Sequence, residues 1–154
     1  MHTWLLLHYK IPREPSASRV YVWRKLKRLG AILLHDAIWV LPATLRTKEQ
    51  FQWLAAEISD LEGEAMVWET HLIVGASLSE ENLIQQFMLQ VEAVYTEILA
   101  ALESTPTDLA ALSRKYQQTQ LQDYFHAELG QRVREKLIAV EGGGEEQGGG
   151  IKRL

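Results

Sequence analysis

Cysteine is absent from this chain of 154 residues. That excludes disulfides, thiolate zinc sites and cysteine nucleophiles. Long apolar runs are missing too. The stretch Trp4 to Leu7 is far shorter than the about 20 residues needed to cross a bilayer. It has no basic leader and no small-residue cleavage site, so it does not read as a signal peptide, and a cytoplasmic location is the expectation. The glycine-rich segment 142–150 lies after a helix and lacks the lysine and serine of a phosphate-cradling loop, so it reads as linker. No pair of short helices of the helix-turn-helix kind precedes or contains the basic segment described below. No nucleophile–base pair and no defensible carboxylate pair is visible. The expectation is therefore a non-enzyme with no cofactor and no resident metal.

Charge is present but unevenly spread. The net charge is -4. Residues 1–46 carry eight basic and two acidic side chains, whereas residues 47–154 carry eight basic and 18 acidic. Between Lys10 and Arg28 stand Lys10, Arg13, Arg19, Arg24, Lys25, Lys27 and Arg28 against the single acid Glu14. Local field rather than total charge steers an anionic partner, so this segment is a candidate surface for DNA.

The apolar, bulky run 3–11 predicts a central strand, ended by Pro12 and Pro15. Ser16 or Ser18 is expected to cap a helix running to about Leu29, with Gly30 as its C-cap and Val22, Trp23, Leu26 and Leu29 as its buried face. Ala31–Leu34 and Ile38–Leu41 read as a hairpin around His35, Asp36 and Ala37. Thr47 is expected to cap a helix over 48–61, with Phe51, Leu54, Ile58 and Leu61 on one face. Glu62-Gly63-Glu64 reads as a turn before a strand over 65–74. The order strand, helix, strand, strand, helix, strand is the ferredoxin-like βαββαβ pattern, an α+β class with both helices on one face of an antiparallel sheet.

Residues 77–140 predict a helical extension. Ser77 with Glu80 has capping-box spacing, and Ser79 with Asn82 is the rival. Leu83, Ile84, Phe87, Met88, Val91, Val94, Tyr95, Ile98 and Leu102 form the stripe of a first long helix. A second, from Asp108 to Val140, slips in phase around Thr119, where a bend is expected, and resumes with Leu121, Tyr124 and Phe125. The reading is a ferredoxin-like domain over 1–76, a C-terminal pair of long helices over 77–140 and a flexible tail over 141–154.

Arg19 lies three, four and seven residues before Val22, Trp23 and Leu26, on the apolar face. A cation there requires a partner or a route to water. It can hold an oxyanion near the helix N-terminus, reach out of the first turn, or pair with a structural carboxylate. His8 and His71 fall in the first and last strands, which are neighbours in this fold, so their rings can approach. Two histidines alone do not make a metal site, and they read as ordinary sheet residues. His35 lies in a turn, and His2 and His126 have no visible ligand partners.

These residues also carry a resemblance. Trp4-Leu-Leu-Leu, Tyr9-Lys10, Pro12, Ser16 to Arg19, Trp23 to Gly30, Asp36 and Trp39 to Pro42 agree in order and spacing with the N-terminal domain of the chromate-resistance regulator family, ChrB. Tyr95, Leu112, Tyr116 and Asp123-Tyr124-Phe125 fit its helical signature. The chain resembles that family over about residues 3–140. The hairpin is similar to the middle domain of PaaX-type repressors, and the sheet to the CRISPR adaptation endonucleases. Those nucleases place an acid at the end of the first strand, where this chain has His8-Tyr9-Lys10. Ala37 stands where such families commonly have glycine.

What the resemblance implies is a transcriptional regulator whose DNA contact lies in this half and whose response to chromate involves a following C-terminal domain. That domain does not follow in this sequence. A stand-alone relative, a split subunit and a truncated form are the three expectations. The expected partners are DNA, through Lys10, Arg13, Arg24, Lys25, Lys27 and Arg28, a chromate-type oxyanion at Arg19, and a second copy in a homodimer. The alternative is a subunit that does not bind DNA and docks a separate C-terminal partner domain through its helical pair. No membrane partner is expected.

Overall fold

The computed structural model describes residues 2–35, 38–75, 78–104 and 108–152, with side chains up to 142. The chain divides into two compact units, Met1–Gln86 and Phe87–Leu154.

In the first unit the order is β1 (Trp4–Lys10), α1 (Ser16–Arg28), β2 (Ile32–Leu34), β3 (Ile38–Pro42), α2 (Leu45–Asp60) and β4 (Glu64–Thr70). The sheet order is β2-β3-β1-β4, and every neighbouring pair is antiparallel. This is the element order expected from the sequence. β4 ends at Thr70 rather than Val74, because Thr70 is already opposite Trp4, the first residue of the strand it pairs with. Leu5, Leu7, Trp39 and Leu41 are buried and share one face of the sheet. Lys48 of α2 pairs at 2.9 Å with Glu69, the register partner of Leu5, which places α2 over that same face.

α1 differs from expectation at its start and on its flank. Neither serine caps it. Pro15, after a cis Glu14–Pro15 bond, takes the N-cap position, and no side chain satisfies the first N–H groups. At its other end Gly30 has φ 77° and donates to the Lys27 carbonyl, while Ala31 donates to that of Leu26. This double closure needs a left-handed residue, which glycine supplies without a Cβ clash. Val22, Leu26 and Leu29 form the buried stripe. Trp23, expected among them, is 51% exposed. Successive helical residues are about 100° apart, so with Val22 pointing inward Trp23 stands on the flank.

α2 is capped by Thr44, not Thr47. Thr44 Oγ1 accepts the Thr47 N–H at 3.0 Å, and Thr47 Oγ1 accepts the Thr44 N–H at 2.8 Å. The buried Thr47 hydroxyl also donates to the Pro42 carbonyl at 2.7 Å, so Thr47 belongs to the third helical position. After α2, Glu62 takes the left-handed conformation, φ 65°. Gly63 follows because a Cβ there would stand 2.6 Å from the Lys10 carbonyl oxygen.

The chain passes into the second unit along α3 (Glu80–Leu102). Ser79, the rival cap, accepts the Asn82 N–H at 3.0 Å; Ser77 lies outside the described residues, as do Asp36 and Ala37. Glu80 instead accepts from the His2 N–H at 2.9 Å and the Trp4 indole at 3.1 Å. These two donors hold its carboxyl below the usual range.

Two further helices follow, α4 (Leu109–Gln122) and α5 (Glu128–Lys152). The extension is thus three helices where a pair was expected. The break falls at Asp123 to Ala127, later than Thr119, which is buried inside α4 with its hydroxyl on the Lys115 carbonyl at 2.7 Å. His126 at φ 55° turns the chain there. Leu121, expected to resume the stripe, is exposed. The core of this unit is Val91, Tyr95, Ile98, Tyr116, Ala127, Val133 and Leu137. Phe87 adds an edge-on contact to Tyr124 at 6.0 Å and a tilted one to Phe125 at 6.1 Å. The backbone of α5 continues through 142–150, the segment read as linker, whose six glycines each cost about 1 kcal/mol relative to alanine.

Candidate nucleic-acid interface

α1 carries five cations and no acid in 13 residues. The helix sorts them by face. Its inner stripe, Val22 and Leu26, is fully buried. On the side toward α2, the Tyr21 hydroxyl donates to Oε2 of Glu57, and Lys25 Nζ lies 3.8 Å from Oε1 of the same residue. Lys25 also sits 5.7 Å from the Tyr21 ring centroid. The hydrogen bond to Glu57, helped by burial, raises the Tyr21 pKa, and Arg28 nearby acts against that rise. Lys25 and Arg28 therefore belong to the flank that meets α2.

The opposite flank is different. Arg19 and Arg24 make no ion pair among the described residues and are exposed. With Tyr9, Ser16, Val20 and Trp23 they line a groove of about 480 Å³. Tyr9 is on the same sheet face as Leu5 and Leu7, by strand alternation. Its pKa is raised by burial, a shift that the Arg19 guanidinium partly opposes. Arg19 thus stands near the phenol rather than within the apolar core, and the expected placement on the buried face is corrected: residue 19 points out with residue 23. Lys27 lies 5.8 Å from the Trp23 ring centroid. Arg19, Val20, Trp23, Arg24 and Lys27 form one outward strip in which an indole is surrounded by cations.

Two of the nominated residues are elsewhere. Lys10 lines a separate hollow of about 260 Å³ with Ile11, Pro12, Glu62, Gly63 and Glu64. It is the register partner of Glu64, so its charge is offset by two neighbouring acids. Arg13 is exposed in the segment before α1. The sequence reading missed Tyr9, Val20 and Trp23 as parts of the surface. Their signal was the i, i+3, i+4 spacing of Arg19 to Trp23 and the alternation of β1.

The two strand histidines do not meet. His8 is opposite Met66 and stacks on Trp68 at 6.4 Å and 11°. His71 is at the other end of the strand pair, its Nδ1 3.1 Å from the His2 carbonyl. Antiparallel pairing sends the start of β1 to the end of β4, which separates them. Among the described residues no three histidines and acids group as metal ligands. Among the same residues no helix is long and apolar enough to cross a membrane.

The family model described as "Protein ChrB, N-terminal" matches residues 19–119. The chain belongs to the ChrB N-terminal family. Its matched stretch starts at Arg19, so it includes most of α1 and reaches into α4. Protein ChrB of Cupriavidus metallidurans is 29% identical over 107 residues, which is 70% of this chain and 32% of that relative. The chain therefore spans about a third of the length of the ChrB protein it matches. No solved structure matches the chain. The chain is thus a domain of the ChrB N-terminal type, and the matched stretch includes all five cations of α1, a helix without an acid.

Proposed function

We propose that this chain is a non-enzymatic regulatory domain of the chromate-resistance type that contacts DNA through the outward strip of α1. Its first unit is a ferredoxin-like split βαβ sheet, which serves to hold that helix. The observation that carries the reading is that Arg19 and Arg24 face solvent without a carboxylate partner among the described residues, beside Trp23 and Lys27. Cations used only for solubility are commonly interleaved with acids, whereas α1 has none. Guanidinium and ammonium groups in such a row neutralise phosphates and release counterions, so affinity falls with salt. A twofold-symmetric dimer would present two such strips to one duplex.

The test is a fluorescence-anisotropy titration of the DNA upstream of the chain's own gene, across salt concentrations. Replacing Arg19, Arg24 and Lys27 together by alanine is expected to leave the fold intact and to reduce the salt slope by about 0.9 for each phosphate that is no longer neutralised. Unchanged affinity at low salt rejects the proposal. Sedimentation of the free and bound protein reads the dimer. An oxyanion effector at Arg19 is read by calorimetry with chromate and sulfate, where absence of heat with both removes that role.

A second reading has its own observation. Leu89, Leu121 and Ile138 in the helical unit are each more than half exposed. Such residues suit docking of a separate partner domain. Size-exclusion chromatography with the product of a neighbouring gene distinguishes this reading, since a lone monomer with and without that product ends it.

A further inference from the structure

The groove beside α1 contains more than a phosphate contact needs. Arg19 and Arg24 supply two planar, permanently charged forks without carboxylate partners among the described residues, suited to an oxygen-rich anion. Val20 and Trp23, however, are 44% and 51% exposed and add a wall of apolar and aromatic surface between and beside those forks. Tyr9 adds to the groove, from β1, a phenol hydroxyl that can donate to an anion. At about 480 Å³ the groove is within the size range of small-molecule sites, roughly 300–1,000 Å³. A bare tetrahedral oxyanion would satisfy the arginines and leave Val20 and Trp23 without contact. A ligand that uses all of the lining joins an anionic group to a flat ring. Every nucleotide has that combination, and indole surfaces bind bases by stacking irrespective of sequence.

We infer that this groove takes one nucleotide unit, its phosphate held by Arg19 and Arg24 and its base stacked on Trp23. The inference rests on the DNA reading above and adds to it a specific occupant. Lys27 over the indole increases the positive field without lining the groove itself. A base inside a paired duplex is already stacked on its neighbours, so it offers its edge rather than its face. The groove therefore favours a nucleotide that has left the stack. The same chemistry is offered by a free nucleoside monophosphate, and the experiment separates the two sources.

The experiment compares anisotropy titrations of two labelled duplexes of equal length, one fully paired and one with a single unpaired nucleotide. The expected result is about tenfold tighter binding of the second. Trp23→Ala should abolish that preference, bringing the ratio of the two affinities to about one. Trp53→Ala, which removes an equally exposed indole on α2, should preserve it. Trp23→Phe keeps a ring and should retain part of it. Equal binding of both duplexes, or a preference that survives Trp23→Ala, overturns the inference while the DNA reading stands. If neither duplex binds at low salt, the DNA reading fails. Calorimetry with deoxyadenosine monophosphate and with inorganic phosphate then gives the answer for the groove. Binding of the nucleotide in excess of phosphate, abolished in Arg24→Ala, supports a nucleotide site, and equal or absent binding overturns it.

Discussion

The Tyr95 hydroxyl donates a 2.9 Å hydrogen bond to Oδ2 of Asp123, and Oδ1 of the same carboxylate accepts the Ala127 N–H at 2.9 Å. One acid thus joins the buried face of α3 to the five-residue break between α4 and α5. Asp123→Ala would leave a phenol in the core without its acceptor and a backbone N–H without its cap. The expected loss is about 2–4 kcal/mol in urea denaturation. Asp123→Asn keeps one oxygen and should lose less. Gly130 belongs to the same arrangement, because a Cβ there would be 3.0 Å from the Tyr95 ring and hydroxyl. Gly130→Ala is therefore expected to destabilise, although alanine is the better helix former by about 1 kcal/mol.

Tyr95 also gives the fold an alkaline limit. Burial first, and then the bond to Asp123, push its pKa well above the ordinary 10.0. The folded chain keeps a proton that the unfolded chain releases near pH 10, so this stabilisation is complete below that pH and is lost as pH rises beyond it. Denaturation midpoints should fall above about pH 10. Tyr95→Phe should make that fall shallower, without removing it, because Tyr9, Tyr21 and Tyr116 are shifted in the same direction.

Glu62 occupies a left-handed position that costs an ordinary residue about 1–2 kcal/mol. Glu62→Gly should raise stability by up to about 1 kcal/mol after the greater entropy of the unfolded glycine is subtracted. A thermal melt that shows no gain would place the relief elsewhere in the turn.

The cations of the N-terminal segment should not be equivalent in DNA binding. Arg24 is in the outward strip without an acid partner among the described residues, whereas Lys10 shares its hollow with Glu62 and Glu64. Arg24→Ala is expected to reduce affinity at low salt several-fold and Lys10→Ala to leave it nearly unchanged. Lys25→Ala should have an intermediate effect, since Glu57 already engages that ammonium. Equal reductions in all three would mean that the field of the whole segment acts, not the strip.

The sheet was legible because strand and helix periods are written directly in the apolar residues: Leu5, Leu7, Phe51, Leu54 and Ile58 are all buried as their spacing requires. The element order followed from them. Trp23 was misplaced because hydrophobicity alone does not distinguish a buried indole from one on a helix flank. The caps were misread for a related reason. Ser16, Ser18, Thr44 and Thr47 are all capping residues by type, and only the path of the chain after Pro15 and Pro42 selects among them. The third helix was hidden because Tyr124 and Phe125 continue the aromatic pattern through a break that Asp123 closes. Of the candidate surface, the cations were visible in the sequence, but their division between two flanks depended on Glu57, which is more than thirty residues away.

Glu57 accepts from the Tyr21 hydroxyl and pairs with Lys25 through one carboxylate. It sits outside the groove as a surface tie between α1 and α2, while the roll of α1 about its own axis follows from Val22 and Leu26, which no solvent reaches. The bearing of Arg19, Trp23 and Arg24 is consequently set from behind, by apolar side chains on the far side of the helix.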